Sequence, residues 1–246
     1  MSDRFLIIDP RVNSGITVYM DKNKTAYLFV DKKELDNFLD TNDLDYIDLT
    51  VGVHSMEDIV SLCYKKGAER LAIKSGIYKL TPDGGIDDNP TLEDIEDDLG
   101  TTILKLDKDI LPKNIHYNSK LNSYLYFYQT TEDKEYLKKM KDSKFIIPCI
   151  VKNTLNMVRI EYLTIFDENA INKGKKIFTY VLFTDLIEYK FWMVKNKKNI
   201  KDIKGLLPLE LSIKELLKVN KNNGFLINPK SDDVYISGKE FNELFS

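Results

Sequence analysis

The chain has 246 residues but only two cysteines, Cys63 and Cys149, and two histidines, His54 and His116. Two cysteines cannot build a disulfide framework, and reduced thiols in an intracellular protein are the expectation that follows. Zinc takes about four ligands. Neither histidine has a Cys, His or carboxylate at ligand spacing on a shared element, so no metal site is expected. Neither cysteine has a base placed beside it by the sequence, which a nucleophilic thiol requires.

No apolar run approaches the ~20 residues that cross a bilayer. Met1–Arg4 lacks a basic segment followed by a long apolar one, so neither a signal peptide nor a membrane segment is expected. Phosphate-binding glycine patterns are missing as well. Gly174 precedes two lysines but lacks the upstream glycine and the following Ser or Thr. Asp83–Asp88 lacks the residue order and the closing glutamate of a calcium loop. These absences leave no catalytic residue and no cofactor to assign.

What the chain does hold is a globular composition, 43% hydrophobic and 30% charged, with 14 Tyr, 12 Phe and one Trp. Its net charge of −3 is unevenly spread. Residues 1–143 carry 19 basic against 27 acidic side chains, a balance of −8; residues 144–246 carry 17 against 12, a balance of +5. Such halves either attract one another, face different partners, or are plain solvated surfaces.

The densest apolar stretch is 178–193, read as a buried strand running directly into a helix. Gly224–Ile227 is a second apolar strand, closed by Asn228 and Pro229. Earlier in the chain, 5–8 and 25–30 read as strands, with a hairpin through 15–30. Asp31 caps a helix whose apolar stripe is Leu35, Phe38 and Leu39. Ser55 caps another, with Met56, Ile59, Val60 and Cys63 inward and Gly67 as its left-handed end. Leu71 and Ile73 lie on a strand, as do 77–80 and 103–106. Thr91–Leu99 reads as an acidic helix, Tyr124–Tyr128 as a strand, with a buried helical turn left open by periodicity alone, and Thr131–Met140 as a helix.

The same plan recurs. Asp185 with Glu188 repeats Asp31 with Glu34 at a separation of 154, where Phe183 also repeats Phe29, Trp192 repeats Phe38 and Met193 repeats Leu39. Ser212 with Glu215 repeats Ser55 with Asp58 at 157, and Gly224 is matched to Gly67 at that separation. Caps, strand ends and core positions recurring in one order indicate a tandem duplication. The expected architecture is α+β: two tandem similar units, each a small mixed or antiparallel sheet with helices packed on it. Their expected bounds are 1–100 and 131–246, with 101–130 as a connecting segment.

The run Lys144–Pro148, then Leu182–Asp185 with Glu188 and Trp192, then Gly224–Pro229 and Val234–Phe241, resembles the N-terminal domain of the enhanced-serine-sensitivity family, SseB. The likeness covers residues 130–246; residues 3–99 look like a divergent copy in which Lys74 and Ser75 stand in place of Asn228 and Pro229. The resemblance implies a compact α/β domain of bacterial, cytoplasmic type with no established enzyme activity.

Four residues stand out as binding candidates: Trp192, Asp185, Asn228 and Pro229. Trp192 either anchors its helix to the sheet, as Phe38 does, or forms a binding lip beside the Asn228–Pro229 turn. Tyr189–Lys204 carries six lysines among aromatics, a pattern that single-stranded nucleic acid accepts. The aromatics fall on the core face and the lysines beyond it, which favours a solvated helix end, and nucleic acid is not the expected partner. The leading expectation is a non-catalytic cytoplasmic binding or adaptor protein whose partner is another protein. The alternatives are a small-ligand sensor or enzyme with a site between the units, recruiting Asp31 and Asp185, and an immunity-type protein that masks a basic partner through the eight acidic residues of 83–98.

Overall fold

The computed structural model describes residues 4–7, 18–42, 48–51, 55–74, 79–80, 86–87, 101–106, 117–154, 157–166, 178–196, 205–220, 223–229 and 231–246. The fold is α+β and divides into two compact units. Unit 1 comprises Met1–Arg11 with Ile16–Asn114, and unit 2 comprises Val12–Gly15 with Ile115–Ser246.

Unit 1 is built on a five-stranded sheet of order β3-β1-β2-β4-β7, from β1 (Arg4–Ile7), β2 (Thr25–Phe29), β3 (Asp48–Val51), β4 (Arg70–Lys74) and β7 (Thr101–Lys105). β2 and β4 run parallel, with Thr25 opposite Arg70 and Phe29 opposite Lys74; every other pairing in this sheet is antiparallel. The short strands β5 (Lys79–Leu80) and β6 (Ile86–Asp87) form a separate antiparallel pair.

Two helices make the crossover from β2 to β4 with β3 between them. α1 (Lys32–Thr41) starts where the Asp31 carboxylate accepts a hydrogen bond from the Lys33 N–H. Leu35 is buried against Phe5, Ile7 and Phe29, and Phe38 and Leu39 pack on the same cluster. α2 (Met56–Lys65) starts at Ser55, whose hydroxyl accepts from the Asp58 N–H. It ends in a Schellman arrangement: Ala68 N–H donates to the Cys63 carbonyl, Gly67 N–H donates to the Tyr64 carbonyl, and Gly67 has φ 99°. A side chain at that φ is strained, which is why glycine serves there.

Unit 2 holds two sheets, one of three strands and one of four. β12 (Leu207–Ser212) pairs antiparallel with β8 (Lys144–Thr154), and β8 meets the end of β11 (Phe178–Leu182) through an antiparallel bridge of Ile146 with Phe183. β11 runs parallel to β13 (Gly224–Ile227), which pairs antiparallel with β14 (Val234–Ile236). Position by position, β12, β8, β11, β13 and β14 stand where β3, β1, β2, β4 and β7 stand in unit 1, with the same relative directions. Smaller details recur too. Leu163 N–H donates to the Pro148 carbonyl as Tyr19 N–H donates to the Ile7 carbonyl. Unit 2 also holds β9 (Met157–Tyr162), paired antiparallel with β8, and β10 (Thr164–Phe166), paired antiparallel with β11. Its two sheets thus have the orders β12-β8-β9 and β10-β11-β13-β14. The Thr164–Tyr180 pair stands where the bridge of Met20 with Ala26 stands in unit 1.

Among the described residues, the helices of unit 2 are α3 (Ser119–Thr131), α4 (Glu135–Lys138), α5 (Leu186–Asn196), α6 (Ile213–Val219) and α7 (Gly238–Phe245). α6 and α7 open on Ser212 and Ser237, and the Ser212–Glu215 pair closes a full capping box. Leu121 and Leu125 of α3 join Leu137, Phe145, Leu216, Phe225 and Phe241 in the larger core.

Three expectations are corrected. Tyr124–Tyr128 is not a strand but the middle of α3, where Ser123, Leu125, Tyr126 and Phe127 are all buried. Burial around most of a helix leaves no 3.6-residue period to read. Thr131–Met140 is not one helix: Glu132 takes a left-handed conformation, φ 56°, and ends α3 before α4 begins. Gly224 is not the counterpart of Gly67. It opens β13 and occupies the place of Arg70, 154 residues earlier, while Gly67 ends a helix. The ring of Tyr235 lies over Gly224, where an added Cβ would come within 2.6 Å of it.

The segment expected as a connector, 101–130, is divided between the units: β7 pairs with β4 and α3 packs in the core of unit 2. The expected acidic helix 91–99, the acidic run 83–98, His54, His116 and the lysines of 197–204 lie outside the described residues.

Candidate functional site

Three of the four singled-out residues meet at the carboxyl ends of the parallel strands β11 and β13. Asn228 follows β13 and is fully buried at φ 48°. Its Oδ1 accepts from the Thr184 N–H at 2.9 Å, and its Nδ2 donates to Thr184 Oγ1 at 3.0 Å and to an Asp232 carboxylate oxygen at 2.6 Å. Its carbonyl accepts from the N–H groups of Ser231, Asp232 and Asp233. In unit 1 the equivalent donor, Val30 N–H, bonds simply to the Lys74 carbonyl. A side-chain amide thus replaces a backbone carbonyl, and this frees the chain after β13 to turn.

Asp185, beside Thr184, caps α5. One carboxylate oxygen accepts from the Ile187 and Glu188 N–H groups at 3.0 and 2.9 Å, and the other accepts from the Asn118 N–H at 3.2 Å. It therefore fixes the starts of α5 and α3 together. Pro229 is buried next to Asn228. The group is a structural knot that joins two strand ends and two helix starts, and the hydrogen bonds just described run among its own members and neighbouring backbone.

Trp192 is only 4% exposed. It packs with Ile146, Val181, Phe183, Tyr189 and Leu206, the unit 2 version of the cluster beneath α1. It acts as the anchor and does not form a lip. The Tyr189 hydroxyl donates to the Leu206 carbonyl at 2.9 Å, and burial raises its pKa, with the Cys149 thiol adding to the effect. Burial pushes the Cys63 thiol up to about 12, and that of Cys149 upward as well. Neither is a poised nucleophile. Among the described residues, no group of three or more His, Cys, Asp or Glu side chains is placed to hold a metal ion. No helix among them is long and apolar enough to cross a membrane.

The site that stands out is the outer face of α5. Tyr189, Trp192 and Asn196 are buried, while Leu186, Phe191 and Val194 are exposed by 46%, 40% and 75%. Half-buried Ile187 with Phe191 and Val194 forms an apolar stripe at spacings of four and three residues along the solvent side, and Leu186 adjoins it at the start of the helix. Lys190 is exposed beside it, and the Lys195 ammonium lies 4.1 Å from the centre of the Phe191 ring.

The equivalent face of α1 shows what an ordinary solvated helix carries there. At the separation of 154, Leu186, Ile187, Lys190, Phe191 and Val194 stand where α1 has Lys32, Lys33, Asp36, Asn37 and Asp40. All five α1 residues are exposed. The inner faces match in bulk; the outer faces do not match in kind. Sequence reasoning compared the shared positions of the two helices and so passed over this difference, although the same alignment contains it. The comparisons with protein-family models, with curated proteins and with solved structures found no match.

Proposed function

We propose that the protein is a non-catalytic binding protein that docks another protein through the outer face of α5. One observation carries the reading: the solvent positions that hold Lys32, Lys33, Asn37 and Asp40 in α1 hold Leu186, Ile187, Phe191 and Val194 in α5, while the framework beneath is kept. Apolar side chains grouped on a surface cost solubility and mark interaction sites more often than scattered ones do. The lysines at 190 and 195 suit a partner groove that is apolar at its centre and acidic at its rim. The reading extends to an SseB-like protein of bacterial cytoplasm, made of two duplicated units of which the second took on binding. Nucleic acid is the less favoured partner, because the aromatic residues Tyr189 and Trp192 are spent in the core.

The experiment exchanges the face and leaves the anchor. Immobilised native protein and the double variant Phe191→Asn, Val194→Asp, which carries the α1 residues, are challenged with the same native lysate. A partner retained by the first and lost by the second, at unchanged circular dichroism, is the expected result. Equal retention by both, or by neither, would remove the proposal.

A further inference from the structure

A second surface points to a different kind of partner. β9 is paired with β8 along one side, and among the described residues no strand pairs with its other side. Exposed strand edges of this kind are normally blunted by proline, bulges or inward charges. β9 has no proline, and Val158 and Ile160 are exposed on one face. Ile160 is directly opposite Val151 of β8, itself 39% exposed, so the apolar side is two strands wide. The other face carries charge. The Glu161 carboxylate is bonded to Lys152 at 2.7 Å and to Arg159 at 3.3 Å, and these contacts hold its pKa below the usual carboxylate value.

We infer that β9 pairs antiparallel with β9 of a second copy of this chain, with Ile160 opposite Ile160 across a two-fold axis. The charge pattern selects that register. With Ile160 at the centre, Arg159 of each copy lies opposite Glu161 of the other, and Val158 lies opposite Tyr162. Sliding the strands by two residues in one direction puts Arg159 opposite Arg159. Sliding them in the other direction puts Glu161 opposite Glu161. A slide of one residue turns apolar faces toward charged ones. Opposite charges directly across a strand pair stabilise it, and like charges oppose it. The interface is isologous, and the two copies of β8 and β9 form one continuous sheet. This inference uses a surface separate from α5 and does not depend on the partner proposed for that helix.

Sedimentation of the full chain over a concentration series provides the test. The expected result is a monomer–dimer equilibrium. Arg159→Glu alone and Glu161→Arg alone should each weaken it by about tenfold or more, because both cross-strand pairs then become like-charged. An equimolar mixture of the two variants should restore the dimer as a heterodimer, with each charge again facing its opposite. A misfolded variant could not give that rescue. Phe191→Asn with Val194→Asp should leave the dimer intact, which separates this result from failure of the α5 reading. A strictly monomeric native chain would overturn the inference. So would a dimer indifferent to both charge reversals, or a mixture that fails to recover.

Discussion

Trp192 lies against Phe183 with ring centroids 5.4 Å apart and planes inclined at 54°; Phe38 lies against Phe29 at 5.2 Å and 54°. Both pairs join the helix that follows the first of the two parallel strands to the end of that strand, and both are separated by nine positions in sequence. An indole and a phenyl ring thus do the same work in the two units.

Replacing Trp192 should accordingly be a matter of bulk. Trp192→Ala should cost about 3–5 kcal/mol of unfolding free energy and Trp192→Phe about 1–2. Urea denaturation followed by circular dichroism measures both. As the only tryptophan, it should emit at short wavelength in the native protein and resist aqueous quenchers. Ready quenching would place it at the surface and refute the anchor.

Asn228 holds three hydrogen-bonding groups at once, in a left-handed conformation that few side chains accept. Asn228→Ala leaves the Thr184 N–H and the Asp232 carboxylate without that partner, and about 3 kcal/mol or more should be lost. Asn228→Gly relieves the backbone but not the lost bonds, so it should fall between the two. Chemical denaturation of the pair decides the matter; an alanine variant within about 0.5 kcal/mol of native would show that the knot is dispensable.

The outer face of α5 should be replaceable without loss of stability. Phe191→Asn and Val194→Asp remove exposed apolar surface at positions outside the core cluster that Trp192 joins, so unfolding free energy should move by no more than about 0.5 kcal/mol. Retention on a hydrophobic-interaction column should drop clearly. A large destabilisation would mean that the two side chains support the fold.

Cys63 gives a pH-dependent prediction. Burial raises its thiol from 9.0 to about 12, so the folded state keeps its proton where the unfolded state loses it. The associated stability is full below pH 9 and is lost as the pH climbs toward 12. Native protein should therefore lose stability faster across that window than Cys63→Ala does, measured as the difference between their denaturation curves. Parallel curves would show that the thiol does not contribute. The folded protein should also leave Cys63 unmodified by thiol reagents at neutral pH.

The architecture was open to reading wherever a local signal had a single meaning. Asp31, Ser55, Ser212 and Ser237 each announce a helix start and each caps one. Leu35, Ile59 and Cys63 fall on inward faces as their spacing requires. Tyr124–Tyr128 misled because alternating aromatics fit a strand and a helix buried around most of its circumference equally well. Gly224 misled because glycine ends helices and also opens strands beneath an aromatic ring, and the sequence does not say which. Asn228 was noticed but its part was not legible, since its partners Thr184 and Asp232 are brought to it by the parallel pairing. The exposed stripe of α5 was hidden for another reason. A run holding Tyr, Phe, Trp, Met and Val reads as core until a solvated counterpart shows which positions face outward.

α2 has ten residues and α6 seven, yet both begin at a serine cap and both deliver the chain to a strand in the same parallel register. The difference is close to one helical turn, and the two ends are finished differently. Gly67 closes α2, whereas Asn220 follows α6 and donates to the Gly238 carbonyl and to Asn242. Two crossovers with helices of different length thus serve the same parallel pairing within one chain. Lengthening α6 by a turn of sequence borrowed from α2, with the Gly67 ending, should therefore leave β11 paired with β13. That expectation makes the second crossover a natural place to insert new sequence.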